Sequence, residues 1–77
     1  MTFKEVYTEE LYNALRGYPE EYAYAPEFVP IVAERMIGNM VRGSFNKDSR
    51  AIKATCKRLG VKFTYDAIKR AVLAGVK

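Results

Sequence analysis

The sequence predicts an all-α domain, a small bundle of about four helices, and three observations carry that prediction. Apolar residues recur at spacings of three and four in four separate stretches. A hydroxyl, carboxylate or amide residue, or a proline, stands where each stretch begins, and a glycine stands where it ends. No stretch shows the strict alternation of a half-buried strand, and no repeat or low-complexity tract appears.

The first helix runs from a cap at Thr2 to about Arg16. Thr2 and Glu5 are spaced as a capping box, in which each side chain satisfies the other residue's backbone N–H. Phe3, Val6, Tyr7, Leu11, Ala14 and Leu15 follow at helical spacing, and Gly17 with Pro19 supplies the stop. Residues 18–29 read as a connector punctuated by Pro19 and Pro26, with room for one short helical turn. Tyr18, Tyr22 and Tyr24 gather there beside Glu20 and Glu21. They read either as rings over the core edge or as a partner-binding surface.

Pro30 fits the first position of a second helix, where its missing N–H costs nothing. Val29, Val32, Ala33, Met36, Ile37, Met40 and Val41 give it a broad apolar face and make it the expected hub, with Met36 and Met40 as core filler. Gly38 within it marks an expected close helix crossing, and Gly43 ends it. Asn46 or Asp48 is placed to cap a third helix whose inner face is Ala51, Ile52, Thr55, Cys56 and Leu59. Gly60 stops it, with Val61 folding back onto the core. Thr64 caps a fourth helix with Asp66 in its first turn, Ala67, Ile68, Ala71 and Val72 inside, and Gly75 at its end.

Composition narrows function. Seventy-seven residues make one domain, 1–77. Such a chain buries only about 60% of its unfolded surface, and a homodimer would enlarge that fraction. A single cysteine excludes an internal disulfide and fits a reducing, cytoplasmic setting. The N-terminus lacks the apolar run of a signal peptide, and no stretch reaches the ~20 apolar residues of a membrane span. Histidine is absent, which removes the usual general base and the commonest metal ligand. With one cysteine there is no zinc set, and the five glycines form no nucleotide-binding loop. No cofactor and no enzymatic activity is expected.

Charge divides the chain. Residues 1–43 carry four basic against seven acidic side chains, net −3; residues 44–77 carry nine against two, net +7. A positive field this dense suits a polyanion, nucleic acid above all, although a solvated face that keeps a small protein soluble has the same composition.

Residues 51–75 place Cys56 where two helices would cross. Leu59 precedes the turn pair Gly60 and Val61, and Ile68 and Val72 anchor the second helix. This third of the chain resembles the helix-turn-helix of phage and bacterial repressors, including the Cro type. It departs from that pattern where Asp66 stands six residues after the turn glycine, a position that normally faces the core, so a longer turn is expected. The resemblance implies a DNA-binding regulator acting on duplex DNA as a dimer. Thr64 and Tyr65 would then donate to phosphate, Lys69 and Arg70 would reach base edges, and Arg50, Lys53, Lys57, Arg58 and Lys62 would run along the backbone. Single-stranded RNA is a weaker partner, stacking on Phe45, Phe63 or Tyr65. The alternative is a small phage or mobile-element protein that binds and inhibits or redirects a host protein, docked through Tyr18, Tyr22 and Tyr24.

Overall fold

A computed structural model describes residues 1–16 and 26–75. Four helices follow one another: α1 (Phe3–Leu15), α2 (Val29–Arg42), α3 (Arg50–Leu59) and α4 (Tyr65–Ala74). A 3-10 turn at Pro26–Phe28 leads into α2. No strand occurs among the described residues.

Local chemistry sets most helix ends. The capping box forms as predicted: the Thr2 N–H donates to Glu5 Oε1 at 3.0 Å and the Glu5 N–H donates to Thr2 Oγ1 at 3.2 Å. Those bonds hold the Glu5 carboxyl below its ordinary range, the Thr2 backbone N–H first among the causes. Gly43 and Gly60 close α2 and α3 in the left-handed region, at φ 79° and 67°. Beyond each glycine a second N–H folds back, Ser44 onto the Asn39 carbonyl and Val61 onto that of Cys56. Thr64 caps α4 through the Ala67 N–H at 3.2 Å. Two starts differ from expectation. The second helix begins one residue before Pro30, at Val29. The third is capped by Ser49, whose hydroxyl accepts from the Ile52 N–H, while Asn46 turns the chain locally by accepting from the Asp48 N–H. Neither Asn46 nor Asp48 is the cap.

The core gathers Phe3 and Tyr7 from α1, Ala33, Ile37 and Met40 from α2, Ala51, Ile52 and Cys56 from α3, and Ile68 and Val72 from α4. Phe45, Val61 and Phe63 from the connections pack against it. Thr55 is buried among them because its hydroxyl donates to the Ala51 carbonyl at 2.6 Å, which leaves no unpaired polar atom.

The hub is α1, not α2. It packs against α2, α3 and α4, whereas α2 packs chiefly against α1 and α4. Phe3, Val6 and Tyr7 are the reason, being buried on consecutive turns with the two rings stacked. Met36 is exposed at the surface of α2 and is not core filler; Met40 is. The helix–Gly–helix pair at the C-terminus is present. Residues 60–64 join it, and each helix has its main neighbour elsewhere, α3 on α1 and α4 on α2.

Candidate nucleic-acid interface

The outer face of α3 is built by the same periodicity that buries its inner face. Ala51, Ile52, Thr55 and Cys56 turn inward, so Arg50, Lys53 and Lys57, at i, i+3 and i+7, stand together on the far side. A shallow groove of about 410 Å³ runs among Arg50, Lys53, Ala54 and Lys57, with Asp48 at its end. A second, of about 480 Å³, adjoins it between Lys53, Lys57, Val61 and Phe63. Arg50 and Lys57 are separated by about 10 Å along the helix axis, the rise of roughly three nucleotides on one strand of a duplex.

Aromatic rings border these cations. The Lys47 ammonium lies 4.3 Å from the centroid of the Phe63 ring, and Lys53 approaches the same ring at 5.9 Å. Phe45 meets Tyr65 edge to face, with centroids 5.0 Å apart. Phe63 is half-buried beneath Lys47, so one of its faces is taken; Tyr65 is 48% exposed, with Lys47 farther off at 5.8 Å from its centroid. Lys47 belongs to the cluster although sequence order did not single it out. Its nearest ring is sixteen residues away in the chain, a proximity that only the fold creates.

Arg58 stands apart from its neighbours. Its Nη1 donates to Glu10 Oε2 at 2.8 Å and to Glu9 Oε1 at 3.3 Å, both on α1. The Glu10 carboxylate, then Glu9, hold the guanidinium more firmly protonated than usual. In sequence it was one more backbone-tracking cation; in the fold it ties α3 to the hub. Lys47 reaches only Asp48, at 3.7 Å. Among the described residues, no carboxylate forms an ion pair with Arg50, Lys53 or Lys57.

The candidates on and before α4 are more dispersed. Lys62 is exposed in the turn, and Thr64 is half-buried with its oxygen engaged in the cap. Lys69 and Arg70 are both exposed, but as consecutive helical residues they diverge by about 100°. Asp66 falls between them in projection, beside exposed Leu73. Tyr18, Tyr22 and Tyr24 lie outside the described residues.

No group of three or more His, Cys, Asp or Glu among the described residues is placed to hold a metal. No helix there is long and apolar enough to cross a membrane. Cys56 is buried, and its burial pushes the thiol up and away from the reactive thiolate form. Comparisons with protein-family models, with curated proteins and with solved structures find no match for the chain.

Proposed function

We propose that this protein binds nucleic acid, and duplex DNA in particular, by laying the outer face of α3 along the phosphate backbone. One observation carries the reading: Arg50, Lys53 and Lys57 share a single helix face, Lys47 stands beside it, and among the described residues of the basic half it is Arg58 that pairs with the acidic half. Unpaired cations in register with a polyanion release its counterions on binding, and that release supplies most non-specific affinity.

Duplex is favoured over single strands because, among the described rings that border the α3 cations, Tyr65 alone is exposed, whereas stacking platforms use several. On this reading Tyr65 and Lys62 flank the contact. Lys69 and Arg70 contribute charge more than base recognition, since Asp66 stands between them. The protein would therefore position itself by backbone contacts with modest sequence preference, and a regulatory role would rest on occupancy of DNA rather than on chemistry.

Anisotropy titration of a labelled random duplex at several salt concentrations tests this. Four phosphate contacts give a slope of log K against log salt of about −4. Absence of binding at low salt would end the proposal, and equal affinity for a neutral peptide-backbone analogue of DNA would do so too.

A further inference from the structure

We propose that two copies of this chain associate through the outer face of α2, antiparallel, with Gly38 at the crossing point. Glycine is the poorest helix former after proline, and Gly38 sits in the body of α2. Among the described residues nothing makes use of its small size. A Cβ built there would meet only the guanidinium of its own Arg42, the nearest atom at 3.4 Å. An open groove of about 600 Å³ lies over it, lined by Pro30, Ile31, Glu34, Arg35, Gly38 and Arg42. The same face leaves Ile31 65% exposed, and Phe28 just before the helix 50% exposed.

The order of charges identifies the occupant. Glu34 lies four residues before Gly38 and Arg42 four residues after it, so the three form one i±4 ridge with a notch at its centre. A two-fold axis through the notch, with the helices antiparallel, sets each Glu34 level with Arg42 of the other copy, and the pairing occurs twice. A parallel arrangement would oppose Glu34 to Glu34 and Arg42 to Arg42. A patch complementary to itself is the requirement of an isologous dimer. Both groups keep capacity for it: Glu34 engages Lys4 through Oε2 alone, and Arg42 engages Asn39 through Nη2. The α3 cations take no part in this face, so the association stands apart from the nucleic-acid reading.

Sedimentation equilibrium over a range of concentrations tests the dimer. The wild-type chain is expected to approach twice its 8.8 kDa mass. Glu34→Arg and Arg42→Glu should each halve that mass, because each places like charges across the axis. An equimolar mixture of the two variants should recover the doubled mass, since one copy then presents two arginines and the other two glutamates. Gly38→Gln, which fills the notch without changing charge, should also give the single-chain mass with unchanged helical circular dichroism. A wild-type mass of one chain at every concentration overturns the proposal. So does a doubled mass that survives the charge reversals or Gly38→Gln, or a mixture that fails to recover it.

Discussion

Arg58 on α3 is clasped by Glu9 and Glu10 on α1, its Nη1 within 2.8 Å of Glu10 and 3.3 Å of Glu9. This single contact separates the cations that hold the fold together from those that face outward. It also makes the hub helix acidic where it meets α3, which draws N-terminal negative charge away from the outer face of that helix. Arg58→Ala should lower the thermal midpoint while leaving duplex affinity and its salt slope unchanged. A drop in the slope would place Arg58 on the DNA.

Lys53→Ala combined with Lys57→Ala should weaken duplex binding and reduce the salt slope by about 2, one for each phosphate contact removed. Both side chains are exposed, so the urea midpoint should hardly move. Lys69→Ala with Arg70→Ala should have the smaller effect. The reverse ranking in an anisotropy titration would return the contact to α4.

Ile68 is fully buried, and Ile68→Ala should cost about 2–5 kcal/mol by leaving a cavity. Leu59→Ala removes a half-buried side chain at the end of α3 and should cost less. Urea unfolding of both variants checks the order, and equal losses would contradict the burial described for Leu59.

Such differences mark the limit of what the sequence discloses. Thr2 with Glu5, Gly60 with Val61, and Thr64 were legible because a cap or stop is decided within a few residues of chain. Ser49 was hidden by two competing cap residues just before it, and the choice depends on where Asn46 turns the backbone. The hub was misplaced because a wide apolar face shows how much a helix can bury, not how many neighbours meet it. Phe3, Val6 and Tyr7 form a narrower stripe that three helices surround. At the candidate interface, the i, i+3, i+7 spacing of Arg50, Lys53 and Lys57 was readable. The capture of Arg58 and the seating of Lys47 on Phe63 were not, since both join residues far apart in the chain.

Burial pushes the Tyr7 phenol up from 10.0 to about 12. The folded state therefore holds this proton more tightly than the unfolded chain does. Its stabilising share is complete below pH 10 and is lost as pH rises from 10 towards 12, by up to about 3 kcal/mol. Urea midpoints measured at the two ends of that window should fall for the wild type. Tyr7→Phe should flatten the decline, and an unchanged decline would assign it elsewhere.

Gly38→Ala should raise the stability of the dissociated chain by about 1 kcal/mol, because alanine favours the helix and only the mobile end of Arg42 must yield. Gly75→Ala should do the opposite, since a Cβ there would meet the Cβ of Thr2 at 3.0 Å. Thermal melts at dilution compare them, and stabilisation by both would show that the Thr2 contact gives way freely.

The chain has six tyrosines and no tryptophan, so its ultraviolet emission comes from phenol rings. Tyr65 meets Phe45 edge to face and is about half exposed, near the α3 cations through Lys47. A nucleobase or phosphate arriving there would change the surroundings of that fluorophore directly. The unlabelled protein thus carries its own optical gauge of occupancy, and Tyr65→Phe would silence the gauge while leaving the ring in place.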